Sequence, residues 1–322
     1  MSTYAVEATD LVKIFGKERA VDGISLQVPK GIVYGFLGPN GAGKTTTIRM
    51  LATLLKPNEG HAKVMGYDLT QEADKVRHSI SLTGQFASVD EELSGRENLI
   101  FIGRLVGYSR KQAKQRADEL LQAFQLEEAA KRQVKKYSGG MRRRIDIAAS
   151  IVTSPELLFL DEPTTGLDPR SRNQVWDIVR ALVKNGTTVF LTTQYLEEAD
   201  QLADLIGVID RGKLIAEGTS KELKSSIGAG SLTVHFDDLD ELKKAQNIFV
   251  SRFEQQPDIN EQDISLTIMI KEHAKAAKAI GELANTNVQI KDFSMSQPSL
   301  DEVFLTLTGN VPDHEGGDSS NE

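Results

Sequence analysis

The chain has no cysteine, which excludes a disulfide framework and any thiolate metal site. It also lacks any apolar run approaching the roughly 18 residues needed to cross a bilayer. The opening Met1-Ser-Thr-Tyr-Ala-Val6 is neither a basic-then-apolar signal nor a transit peptide. Basic residues are in the minority, 38 Lys and Arg against 46 Asp and Glu, for a net charge of −8. Bulk electrostatics therefore favours neither nucleic acid nor an anionic membrane surface. These absences predict a cytosolic chain that borrows any membrane role from a partner. What remains is ordinary core-forming material. The 322 residues are 39% hydrophobic and 26% charged, enough for about two domains.

The most informative stretch is Gly38-Pro39-Asn40-Gly41-Ala42-Gly43-Lys44-Thr45-Thr46. It follows the apolar run Ile32–Leu37, which reads as a strand, and it opens a helix. Glycines let the backbone fold back so that several N–H groups point into one anion-binding nest. The helix start adds its positive dipole end to the same place. Lys44 supplies a mobile charge for the outer phosphates of a nucleotide triphosphate, and Thr45 a hydroxyl for Mg²⁺.

Strand-like and helical patterns alternate around this loop. Residues 4–36 read as short strands, and Thr45 to about Leu55 as a helix. Gln71–Arg77 reads as helix and Ile80–Thr83 as strand. Residues 91–154 turn helical, with Ser94 and Glu97 forming a capping box. Strands resume at Leu157–Leu160, Thr188–Leu191 and Ile206–Ile209, between helices near 170–184 and 196–204. This alternation predicts an α/β body with a largely parallel sheet and a helical insertion over about 86–154. Domain 1–224 then gives way to a small-residue linker at 225–231. A small α+β domain over 232–309 follows, its last helix capped by Ser299 and ended by Gly309. The acidic tail 310–322 is expected to be disordered.

Leu157–Leu160 delivers Asp161 and Glu162 to a strand end. One carboxylate there can hold Mg²⁺ directly or through its waters, and the other can polarise a water aimed at the terminal phosphate. Tyr137-Ser138-Gly139-Gly140-Met141 opens a second helix terminus suited to an anion. One phosphate cannot usefully occupy both termini. Arg142-Arg143-Arg144 beyond it reads as a solvated or salt-bridged face rather than a nucleic-acid patch.

With these ordered motifs the sequence resembles the ATP-binding subunits of ABC transporters. The resemblance implies a P-loop NTPase fold with an N-terminal antiparallel β subdomain, and ATP and Mg²⁺ as ligands. It implies a head-to-tail homodimer in which Ser138, Gly139 and Gly140 of one copy close over ATP on the other. A separately encoded membrane permease is implied as partner, with no nucleic acid expected. By the same resemblance Phe15 stacks on adenine, unless it is a core aromatic. Gln85 reaches Mg²⁺ and the attacking water, and its loop senses the permease. Asp168 follows the catalytic strand and crosses the dimer interface. Lys44 and Glu162 complete the catalytic set.

Two positions depart from the pattern. Met141 stands where the family often has Gln, and Gln194 where most members have His. Gln194 can donate a hydrogen bond to phosphate but cannot carry a proton near neutral pH. No histidine lies between His78 and His235 to replace it. The stretch Thr192–Asp204, containing Gln194, and Pro298–Gly309 are similar to the daunorubicin-resistance branch. That implies an exporter of hydrophobic drugs, with Leu300–Leu307 in dimer contacts and coupling or merely packing its own domain. A non-transport ATP switch and an ATP-gated drug-binding or regulatory module are the alternatives.

Overall fold

The computed structural model describes residues 3–84, 89–227, 230–270, 273–286, 288–296 and 298–309. Gln85 and the tail 310–322 lie outside them. The chain divides into two compact units, Met1–Thr219 and Ser220–Glu322.

The first unit opens with β1 (Tyr4–Phe15) and β2 (Glu18–Pro29), an antiparallel pair. These are long strands, not the short ones expected. Register shifts between Ala8 and Leu11, with Asp10 at φ 51°, break the alternation without ending the strand. Next come β3 (Val33–Leu37), α1 (Lys44–Leu51), β4 (Glu59–Val64), β5 (Tyr67–Asp68), α2 (Ala73–Ser79) and β6 (Ile80–Thr83). Helix α1 stops short of Leu55, and Thr53 just beyond it turns left-handed at φ 64°. The helical block holds α3 (Gly95–Leu105), α4 (Arg110–Ala123) and α5 (Gly139–Ser150). The Ser94–Glu97 capping box forms as read, and Ser109 with Gln112 makes a second. Then follow β7 (Leu157–Asp161), α6 (Pro169–Lys184), β8 (Thr188–Thr193), α7 (Leu196–Leu202), β9 (Leu205–Asp210) and β10 (Lys213–Gly218).

One sheet runs β2-β1-β4-β5, and the other β10-β9-β3-β8-β7-β6. The latter is parallel except for β10 at its edge. Its central strands β3, β7 and β8 are buried throughout, so their side chains feed two cores. Leu158, Leu160, Val189 and Leu191 join the helical block in one. Tyr34, Phe36, Phe159 and Phe190 face the antiparallel sheet in the other. Phe190 anchors that second core, with ring centroids 5.0–5.6 Å from Tyr34, Phe36 and Phe159.

The second unit contains α8 (Ser220–Ser226), β11 (Gly230–Phe236), α9 (Leu239–Phe253), β12 (Asp258–Asn260), β13 (Ser265–Ile270), α10 (His273–Asn285), β14 (Ile290–Ser296) and α11 (Leu300–Thr308). Its antiparallel sheet, ordered β12-β13-β11-β14, has a core of its own built on Leu232, Val234, Phe249 and Ile268. The Ser299 box caps α11, and Gly309 ends it in the left-handed region. Leu300, Val303 and Phe304 of α11 are buried, whereas Leu305 and Leu307 are exposed.

Candidate nucleotide-binding and catalytic site

The parallel strands bring distant segments to the C-terminal ends of the central strands. Leu37 pairs with Thr193, and Asp161 pairs with Thr192. The phosphate loop therefore leaves β3 beside the ends of β7 and β8, and Gln194 follows directly after β8. Gly38 N–H donates to Thr193 O at 3.1 Å, tying the loop to the end of β8. Glycine is required twice. A Cβ on Gly38 would lie 2.3 Å from Ile209 O, and one on Gly43, at φ 103°, 2.4 Å from Ala20 O.

Lys44 turns back into this nest. Its Nζ donates to Gly38 O at 2.8 Å and Pro39 O at 3.0 Å, and lies 3.2 Å from Glu162 Oε1. Both side chains are more than nine-tenths buried. Burial pushes the Lys44 ammonium below the usual lysine value, against the pull of Glu162 and Asp161. Thr45 Oγ1 donates to Asp161 Oδ1 at 3.1 Å, and Thr192 Oγ1 donates to the same oxygen at 2.6 Å. Glu162 is left-handed at φ 47°. Its N–H is held by Thr192 O and Oγ1, each at 3.1 Å.

Ser138, Gly139, Gly140 and Asp168 form a second group. Ser138 caps α5 by accepting from Met141 N–H at 3.3 Å. Asp168 caps α6 by accepting from Ser171 N–H at 3.0 Å and Ser171 Oγ at 2.6 Å, and these bonds lower its pKa. A Cβ on Gly140 would lie 2.4 Å from Ser171 Oγ, so the two helix starts pack directly. A cavity of about 460 Å³ lies between the groups, lined by Gly139, Arg143, Glu162, Thr165 and Leu167 among others. Phe15 is 48% exposed, with Lys13 Nζ 5.5 Å from its ring centroid, so it is not a core aromatic.

Sequence reasoning missed two residues. Thr192 bonds both carboxylate-bearing residues, yet only strand pairing reveals it. Glu198 is 1% exposed and accepts from Thr164 Oγ1 at 2.9 Å and Trp176 Nε1 at 3.1 Å. Arg143 is half-buried and pairs with the buried Asp146 at 3.4 Å, the salt-bridged alternative of the sequence reading. Arg142 pairs with Glu91 at 3.1 Å and Arg144 donates to Phe124 O at 2.9 Å.

A glycine nest with a buried lysine, a hydroxyl-bonded aspartate and a second carboxylate at the strand end defines a P-loop nucleoside-triphosphatase. Comparison with known proteins narrows the class. The ABC transporter family matches residues 21–165. The C-terminal domain of DrrA1-3-like ATP-binding proteins matches residues 218–308. The daunorubicin/doxorubicin resistance ATP-binding protein DrrA of Streptomyces peucetius is 56% identical over 99% of this chain and 97% of its own length. The doxorubicin resistance ATP-binding protein DrrA of Mycobacterium tuberculosis H37Rv is 45% identical over 94% and 93%. The solved ADP conformation of MJ1267, an ATP-binding cassette of an ABC transporter, has a TM-score of 0.63. It is 27% identical and covers 69% of this chain and 93% of that one. The chain belongs to the ATP-binding subunits of ABC transporters, in the branch of the DrrA-type proteins. It binds ATP and couples its hydrolysis to transport.

Proposed function

We propose that this chain powers export of hydrophobic drugs through a separate membrane permease, working as a head-to-tail homodimer with Mg²⁺. The names of the relatives support the drug, and among the described residues no helix is long and apolar enough to cross a membrane itself. Residues 1–224 form the nucleotide-binding domain in this reading, and 232–309 an accessory domain for dimer contacts and coupling.

The observation carrying the catalytic reading is the convergence of Lys44 with Glu162 at 3.2 Å and of Thr45 with Asp161 at 3.1 Å. The nest from Gly38 to Thr46 holds the phosphates, and Phe15, exposed, stacks on the base. Thr45 and Asp161 offer hard oxygen donors suited to Mg²⁺, with Gln85 as third contributor. A bound ion there would neutralise charge on the phosphates. A triphosphate replaces Glu162 as the partner of Lys44 and frees that carboxylate. Glu162 then takes a proton from a water whose oxygen bonds to the terminal phosphorus as the bond to ADP breaks. Base assistance of this kind is worth about 10²–10⁴-fold in rate. Gln194 donates to the terminal phosphate. Ser138, Gly139 and Gly140 close over the partner's ATP, and Asp168 sits at the interface.

The test is Mg²⁺-ATPase turnover of wild type against Glu162→Gln, with and without co-expressed permease, alongside light scattering. The expected result is a loss of at least about 100-fold with ATP binding retained and an ATP-bound dimer trapped. Wild-type turnover in the variant would remove Glu162 from the base role.

A further inference from the structure

Arg143 lies near the start of α5, and the mechanism above gives it no task. Its side chain is 11% exposed and that of Asp146, 3.4 Å away, 2%. The guanidinium donates from Nε to Pro163 O at 2.8 Å, from Nη2 to Asp161 O at 3.2 Å and from Nη1 to Gly84 O at 2.9 Å. Asp161 and Pro163 are the residues on either side of Glu162. One planar group thus holds the carbonyl oxygens of the two residues on either side of Glu162. Glu162 sits between them at φ 47°. A non-glycine residue keeps that conformation only where its surroundings over-determine it. Thr192 fixes the Glu162 N–H from one side, and Arg143 fixes the flanking carbonyls from the other.

We propose that Arg143 is a positioning residue that aims Glu162 and ties it to α5, the helix opened by Ser138-Gly139-Gly140. The inference rests on the proposed roles of Glu162 and of Ser138-Gly139-Gly140. In the head-to-tail dimer the start of α5 meets the partner's ATP, while Glu162 works on the chain's own ATP. Arg143 makes them one mechanical piece, so closure at one nucleotide site sets the carboxylate at the other. The fork geometry is essential. A lysine keeps the charge beside Asp146 but is a point donor on a flexible stem and cannot span three carbonyls.

The test compares Arg143→Lys with Arg144→Lys in the full chain, since Arg144 donates to Phe124 O and Gln125 O within the helical block. Arg143→Lys is expected to lower kcat about 10–100-fold with KM for ATP within about threefold, and to leave Tm close to wild type. Arg144→Lys keeps both constants. Arg143→Gln, which retains one donor group, is the second variant and should show the same split. In single-turnover assays the Arg143→Lys loss should vanish beside Glu162→Gln, where no carboxylate remains to be aimed. An unchanged kcat in either folded Arg143 variant overturns the proposal, as does a loss that persists at full size beside Glu162→Gln. If Glu162→Gln alone keeps wild-type turnover, the base reading falls and takes this proposal with it. That single assay tells the two failures apart.

Discussion

The Glu198 carboxyl is buried against Thr164 and Trp176, and burial raises its pKa above the ordinary 4.5. Between the ordinary and the raised value the folded chain therefore holds a proton that the unfolded chain has lost. That stabilisation is fully present below the unfolded value and disappears as pH rises through the folded one. Glu198→Gln keeps an acceptor oxygen and has no proton to lose. Its Tm relative to wild type should rise as pH climbs from the ordinary carboxyl value through the raised one. A difference that stays flat across that range would mean Glu198 does not titrate there. Residues of this kind were not legible beforehand. Glu197 and Glu198 are adjacent and chemically alike in sequence, yet Glu197 is exposed while Glu198 is buried. By contrast, Lys44 and Glu162 declared themselves through their flanking glycines and apolar run.

Elements declared themselves when their local chemistry was complete. The phosphate loop, the Ser94 and Ser299 boxes and the apolar runs Leu157–Leu160 of β7 and Val189–Leu191 of β8 were readable because each signal is contiguous. The strands β4, β5, β10 and β12 were not. In β4 only Ala62 and Val64 are buried, and Gly60 interrupts the pattern. Such a strand is held by its partner, since β4 pairs with β1 from Val6 to Val12. The loop also tolerates little change at its glycines. Gly43→Ala imposes a left-handed alanine, worth about 1–2 kcal/mol by itself, and drives its Cβ toward Ala20 O. A clear fall in denaturation midpoint together with loss of ATP binding is expected. Wild-type nucleotide affinity in this variant would show that the loop can relax.

At the scale of the whole molecule the two units keep separate cores, and among the described residues the second unit's cluster draws none from the first. A fragment of residues 1–219 should therefore fold cooperatively and bind ATP with affinity within about tenfold of the full chain. Circular dichroism melting and nucleotide titration check this, and an unfolded fragment would show that the units depend on each other. The sequence by itself determined the P-loop class and singled out the Gly38–Thr46 loop and the Asp161–Glu162 pair that we propose serve it. Those functions come from backbone conformation over a few consecutive residues. Only the tertiary structure decided that Thr192 bonds Asp161 and steadies Glu162, that Arg143 grips the carbonyls around Glu162, and that Glu198 is buried while Glu197 is not. Each depends on strand pairing and helix packing that join residues about 20 to 60 positions apart, and no local pattern records which of several like residues will be enclosed.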